Sequence, residues 1–142
     1  MEAHKSYVRD WMTKQPIVVA PDTSAVEAYE RMRDRNVHRL PVVESDGRLV
    51  GMITRSDIEG VVSFQRSEAG WHEARFALAG TVVEEVMTKQ PISVLADASM
   101  KEAVSILLQR HLSGLPVVEN DVLVGIITET DVYRLVLKLC EG

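Results

Sequence analysis

The sequence predicts a mixed α/β (α+β) fold made of two β-α-β-β-α repeats packed about a pseudo-twofold axis. Three observations predict it. The chain says the same thing twice: Met12-Thr13-Lys14-Gln15-Pro16-Ile17 returns as Met87-Thr88-Lys89-Gln90-Pro91-Ile92, and Leu40-Pro41-Val42-Val43-Glu44 returns as Leu115-Pro116-Val117-Val118-Glu119. Leu49-Val50-Gly51-Met52-Ile53-Thr54-Arg55-Ser56-Asp57 returns as Leu123-Val124-Gly125-Ile126-Ile127-Thr128-Glu129-Thr130-Asp131. The spacing is nearly constant, 75 residues between Met12 and Met87 and 74 between Thr54 and Thr128, so one residue near Gly47 was gained or lost. Finally, strand-like apolar runs and helical stripes alternate in the same order in both copies. Two copies are too few for a solenoid, which leaves a pair of half-sized units with paired sites between them.

Each element has a local cause. Residues 2–11 read as a short helical lead-in, with Tyr7, Val8 and Trp11 on one face. Ile17-Val18-Val19 is an apolar run of strand type closed by Pro21-Asp22. Ser24-x-x-Glu27 has the form of a capping box, and Ala25, Ala28, Tyr29 and Met32 follow it at i, i+3, i+4 and i+7. The second copy repeats this with Ser99-x-x-Glu102 and the stripe Met100, Ala103, Val104 and Leu107. Leu40–Val43, the turn Ser45-Asp46-Gly47 and Arg48–Ile53 form a hairpin by turn chemistry. Its counterpart is Leu115–Val118, Asn120-Asp121 and Val122–Ile127. Thr54 and Thr128 each open a further helix, continued by Ile58, Val61 and Val62 and by Val132, Leu135, Val136 and Leu139. The organisation expected is repeat one with its lead-in over 1–62, a connector over 63–80 in which Trp71, Phe76 and Leu78 could pack, and repeat two over 81–142.

Composition narrows the function classes. A chain of 142 residues is one domain-sized object, and each repeat alone would be marginal. A hydrophobic share of 46% with 26% charged residues is that of an ordinary globular protein, with no apolar run of membrane-spanning length and a polar start that does not read as a signal peptide. The single cysteine, Cys140, excludes an intrachain disulfide and points to a reducing, cytosolic setting. A net charge of −5 argues against a nucleic-acid partner but leaves room for a small anion held by one or two arginines.

The ordered, duplicated blocks resemble the tandem cystathionine-β-synthase domain pair, the CBS pair or Bateman module. The residues that carry the resemblance are Met12-Thr13 with Pro16-Ile17-Val18-Val19, His38-Arg39-Leu40-Pro41-Val42-Val43 and Gly51–Asp57. The second set is Met87-Thr88 with Pro91-Ile92, Ser113–Val118 and Gly125–Asp131. The match runs from about residue 8 to about residue 137. What it implies is a CBS-pair fold and a regulatory module that takes adenosine-containing ligands (AMP, ADP, ATP or S-adenosylmethionine) in clefts between the repeats. In larger proteins such a pair is attached to an enzyme, channel or transporter; here the pair fills the chain, so a stand-alone protein is expected. The implied partners are an adenine nucleotide, a second copy in a homodimer, and a regulated protein of unknown identity. No cofactor is required, and neither nucleic acid nor membrane is implied.

The resemblance also places residues. One nucleotide site, site A, combines Thr128, Thr130 and Asp131 with Thr13, Ile17, His38 and Arg39. The other, site B, combines Thr54, Arg55, Ser56 and Asp57 with Thr88, Ile92, Ser113 and Gly114. The carboxylate of each T-x-x-D would accept the ribose hydroxyls, while the threonine hydroxyl and the helix N-terminal N–H groups face phosphate. A threonine three residues before an acid is equally a plain capping box, and the two roles are compatible. Ile17 and Ile92 would flank the adenine, or belong to the core. Arg39 favours a phosphorylated ligand at site A, where site B offers Ser113-Gly114, although Arg55 compensates and Glu129 opposes. The expectation is that site A binds more tightly.

Absent motifs matter too. There is no phosphate-binding G-x-x-x-x-G-K-[ST] loop and no G-x-G-x-x-G fingerprint. His72-Glu73 begins like a zinc motif, but Phe76 stands where the second histidine belongs, and His4, His38, His72 and His111 lack ligand spacing. The reading is a non-catalytic sensor. The alternative is a nucleotide-independent interaction module with vestigial clefts, and an S-adenosylmethionine sensor is the variant of the first.

Overall fold

The computed structural model describes residues 6–64 and 78–141. The start of the expected lead-in (1–5) and the stretch expected to pack through Trp71 and Phe76 lie outside the described residues. In chain order the elements are α1 (Val8–Trp11), β1 (Thr13–Lys14), α2 (Ala25–Arg35), β2 (Arg39–Val43), β3 (Leu49–Thr54) and α3 (Arg55–Phe64). They continue with α4 (Val83–Val86), β4 (Thr88–Lys89), β5 (Val94–Leu95), α5 (Met100–Arg110), β6 (Gly114–Glu119), β7 (Val122–Thr128) and α6 (Glu129–Glu141). They fall into two compact units. One, the continuous unit, runs from Ile17 to Pro91; the other, the split unit, joins the residues up to Pro16 to those from Ile92 onward.

The continuous unit is a three-stranded sheet, β2-β3-β4, covered by helices. Its core gathers Ala25, Val26, Ala28 and Met32 of α2, Leu40, Val42 and Ile53 of the sheet, and Ile58, Leu78 and Val83. The predicted stripe of α2 holds, except that Tyr29 is half-buried and Val26 takes a place inside. Ser24 caps the helix by accepting the Glu27 N–H at 3.1 Å. The helix ends at Asn36, which takes the left-handed conformation (φ 53°) that asparagine tolerates. The predicted strand at Ile17–Val19 shrinks to one bridge, Val19 beside Val42, in parallel sense. Pro21 and the Ala20–Thr23 turn pull the chain away before a second pair can form.

The split unit repeats the plan with a four-stranded sheet, β1-β7-β6-β5. Its core contains Val8, Val94, Ala96, Met100, Ala103, Leu107, Leu115, Val117, Ile127 and Leu135. Ser99 accepts the Glu102 N–H at 3.1 Å, as Ser24 does for its helix. The return arm of the predicted capping boxes, from the glutamate to the serine N–H, is not formed among the described residues. Instead each helix start is clamped by backbone bonds: Ala25 N–H to Thr81 O and Val83 N–H to Thr23 O in one unit, Met100 N–H to Ser6 O and Val8 N–H to Ala98 O in the other.

The hairpins explain the one-residue offset between repeats. The first turns through Ser45-Asp46-Gly47, with Gly47 at φ 90° and Glu44 N–H bonded to Arg48 O. The second needs only Asn120 (φ 51°) and Asp121 (φ 67°), a two-residue turn with both φ positive.

The sequence does not announce where the Met-Thr-Lys-Gln blocks go. Each edges a ladder built by the other repeat: β1 pairs with β7 (Thr13 opposite Ile126) and β4 with β3 (Thr88 opposite Met52). The repeated glycines are the reason this fits. A Cβ on Gly51 would collide with the sulfur of Met87, and one on Gly125 with the side chain of Met12 and the carbonyl oxygen of Thr13 at 2.9 Å.

The stripes of the last helices are resolved as well. Ile58 and Leu135 are core, whereas Tyr133, Val136, Leu137 and Leu139 of α6 are exposed. No helix among the described residues is long and apolar enough to cross a membrane.

Candidate functional site

Both T-x-x-D motifs stand where a strand ends and a helix begins. In the continuous unit the Thr54 N–H donates to Oδ2 of Asp57 at 2.9 Å, and the Asp57 N–H donates to Oγ1 of Thr54 at 3.1 Å. This is a complete reciprocal capping box, so the structural role is real whatever else the pair does. In the split unit Oδ2 of Asp131 accepts the Thr128 N–H at 2.8 Å and the Thr128 hydroxyl at 3.1 Å. Its Oδ1 accepts Nη1 of Arg134 at 3.0 Å. The Asp131 side chain is only 2% exposed and that of Arg134 is 64% exposed.

Strand register sets each helix start beside strand residues of its own unit, which the expectation assigns to the opposite site. Arg39 lies opposite Thr54 in the ladder, and the Arg55 N–H donates to the His38 carbonyl at 2.8 Å. His38-Arg39 and Thr54–Asp57 therefore adjoin in the continuous unit, with Thr88 of β4 opposite Met52 of β3. In the split unit Gly114 lies opposite Thr128, the Glu129 N–H donates to the Ser113 carbonyl at 3.1 Å, and Thr13 sits opposite Ile126. Each expected site thus draws on both units. Of site A, Ile17, His38 and Arg39 belong to the continuous unit, and Thr13, Thr128, Thr130 and Asp131 to the split one. Of site B, Thr54, Arg55, Ser56, Asp57 and Thr88 belong to the continuous unit, and Ile92, Ser113 and Gly114 to the split one.

Several of the expected side chains are open to solvent. His38, Ser56, Thr88 and Thr130 are exposed, and Ile92 is 39% exposed and so is not core. Ile17 is half-buried and packs partly against the continuous unit's core. Arg55 is turned over α2, its guanidinium carbon 5.9 Å from the centre of the Tyr29 ring, and its Nε is buried with no hydrogen-bond partner among the described residues. A groove of about 660 Å³ in the continuous unit touches none of these residues. Its one arginine, Arg31, is held by the Val18 carbonyl at 2.6 Å and faces Glu27 at 3.6 Å, and Asp22, Glu44 and Glu84 line the groove.

Sequence reasoning missed Arg134. The signal was present: Gly60 stands at the matching place of the first repeat, three residues after Asp57, so a cation follows one acid at i+3 and nothing follows the other. It also missed that Gly51 and Gly125 are matched to Met87 and Met12.

A duplicated α/β unit whose two copies each present a capped acid beside a strand start defines a tandem two-repeat module. The chain belongs to the CBS domain family, whose model matches residues 8–63 and 83–138. It is 34% identical over 126 residues to the CBS domain-containing protein YhcV of Bacillus subtilis, covering 89% of this chain and 82% of that protein. The CBS-pair protein CBSX2 from Arabidopsis thaliana superposes with a TM-score of 0.85 at 29% identity, over 96% of this chain and 98% of that one. A structure of CBSX2 in complex with AMP matches with a TM-score of 0.81, again at 29% identity. The CBS domain pair of protein MJ0100, in complex with 5′-methylthioadenosine and S-adenosyl-L-methionine, matches at 0.78 and 28% identity, over 94% of this chain and 97% of that one. Against several longer curated relatives the chain spans 24% to 32% of their length.

Proposed function

We propose that this chain is a non-catalytic regulatory module that binds an adenosine nucleotide (AMP, ADP or ATP) and passes its occupancy to a partner protein. The observation that carries this reading is the doubled acid. Asp57 and Asp131 are each fixed at a helix start by their threonine. A carboxylate held in this way accepts a pair of ribose hydroxyls without first being ordered, and the helix N-terminus behind it favours a phosphate. The likeness to the AMP complex of CBSX2 supports the ligand class. In this reading the ligand contacts are Thr13, Ile17, His38, Arg39, Thr128, Thr130 and Asp131 at one site and Thr54, Arg55, Ser56, Asp57, Thr88, Ile92, Ser113 and Gly114 at the other. Occupancy acts through the ligand's differential affinity for two arrangements of the protein. The exposed apolar residues of α6 meet a second copy in a homodimer.

Calorimetric titration of the full chain with AMP, ATP and S-adenosylmethionine tests the reading. Micromolar binding of a nucleotide that weakens in Asp57→Ala or Asp131→Ala is the expected result. Tighter binding of S-adenosylmethionine than of any nucleotide would move the ligand to that class. Binding of none would leave the complete capping box as the motif's whole role and favour a docking module.

A further inference from the structure

We infer that the two acids are unequal: Arg134 occupies the Asp131 carboxylate from within the chain, so that an adenosine ligand is taken first through Asp57. This rests on the adenosine reading above and goes beyond it by ranking the two sites and naming the residue that ranks them.

The ranking follows from counting acceptors. An ionised carboxylate offers about four lone-pair positions. Asp131 has committed three of them, two on Oδ2 to Thr128 and one on Oδ1 to Arg134. Asp57 has committed one, on Oδ2, and its Oδ1 has no partner among the described residues. A ribose diol needs two acceptors facing it. Asp57 supplies them as it stands, whereas Asp131 must first release a charge-assisted bond. Exposure agrees, because Asp131 is buried and Asp57 is half-buried. The sequence ranks the sites the other way, on the strength of Arg39; that ranking counted cations near the phosphate and overlooked the cation already spent on the acid.

Gly60 is what keeps Asp57 open. It occupies the place of Arg134, three residues after the acid, and among the described residues a Cβ built on it meets nothing within 4 Å. An arginine there would have the same i, i+3 reach to Asp57 that Arg134 has to Asp131. Since arginine is also a better helix former than glycine, the exchange strengthens α3 rather than threatening it.

The test is AMP titration of the full chain as wild type, Asp57→Asn, Asp131→Asn, Gly60→Ala, Gly60→Arg and Arg134→Gln, with melting temperatures to confirm folding. The expected result is a loss of about tenfold or more in the tighter binding step for Asp57→Asn, against less than about threefold for Asp131→Asn. Gly60→Arg should reproduce the loss while Gly60→Ala keeps wild-type affinity, and Arg134→Gln should strengthen the weaker step. Equal losses from the two asparagine variants, an inert Gly60→Arg, or weaker binding in Arg134→Gln would overturn the ranking and leave the adenosine reading standing. The last outcome would mean that Arg134 serves the phosphate. Absence of binding of both AMP and S-adenosylmethionine to the wild type would overturn the adenosine reading and the ranking together.

Discussion

Adding one methyl group to each of the two repeated glycines should have very different costs, and the difference can be worked from what the methyl would touch. At Gly51 the three nearest atoms all belong to the side chain of Met87, a half-buried, unbranched residue with three rotatable bonds. Met87 can turn aside, and alanine in a strand recovers about 0.5–1 kcal/mol of chain entropy relative to glycine. The net effect of Gly51→Ala should lie within about 1 kcal/mol of zero. At Gly125 the methyl meets Met12 and also the Thr13 carbonyl oxygen at 2.9 Å. That oxygen belongs to β1, whose backbone is fixed against β7, so the ladder itself must shift. Overpacking of this kind costs about 1–3 kcal/mol, and about 2 is expected here. With a urea slope of about 2 kcal/mol per molar, the midpoint of Gly125→Ala falls by about 1 M while that of Gly51→Ala hardly moves. Far-UV circular dichroism in urea reads this directly. Two backgrounds sharpen it. Met87→Ala should turn Gly51→Ala into a gain, whereas Met12→Ala should not erase the cost of Gly125→Ala, because the carbonyl remains. Equal shifts from the two glycine variants, or full rescue of Gly125→Ala by Met12→Ala, would refute the account.

Removing either helix cap, Ser24→Ala or Ser99→Ala, should cost about 1 kcal/mol, since each serine satisfies one orphan N–H; chemical denaturation measures it. Asp121→Gly should stabilise by a few tenths of a kcal/mol, giving the second hairpin the Asn-Gly pair that its positive φ values favour, seen as a raised melting temperature. The carboxyl of Asp46 is held below its usual value, chiefly by the backbone N–H of Arg48. Its contribution is therefore fully present above pH 3.8, its ordinary value, and is lost as pH falls through the lower folded value. Titration followed by carboxyl NMR shifts should show this, with a midpoint at or above 3.8 counting against it.

Much of the fold is legible in the sequence because its causes are local. Ser24 and Ser99 cap the helices that their spacing announces, and the extra residue near Gly47 is the difference between a three-residue and a two-residue turn. What was illegible depended on partners far along the chain. Nothing around Thr13 says that it will sit opposite Ile126, nor around Thr88 that it will sit opposite Met52. The repeat glycines could have hinted at a close approach, but glycine alone does not say what approaches. The site was legible as residue types and not as states: T-x-x-D marks both acids, while the commitment of Asp131 to Arg134 is a matter of one side chain's reach.

That exchange of edge strands has a consequence for how the chain is put together. The ladder β3-β4 is closed by residues that are near one another in sequence, with Gly51 opposite Lys89. The ladder β1-β7 joins Lys14 to Gly125, across the whole of the continuous unit. Loop-closure entropy rises with the length of chain enclosed, and contacts of high sequence separation slow folding. The continuous unit can therefore complete its sheet before the split unit can. Each unit has a core of its own, with Leu40, Ile53 and Ile58 in one and Leu115, Ile127 and Leu135 in the other. In that order of events Asp57 is capped by Thr54 within a sheet already closed, while the Asp131 cap forms on a sheet still waiting for β1. The acid proposed to take the ligand first is thus also the one whose frame depends least on the distant ends of the chain.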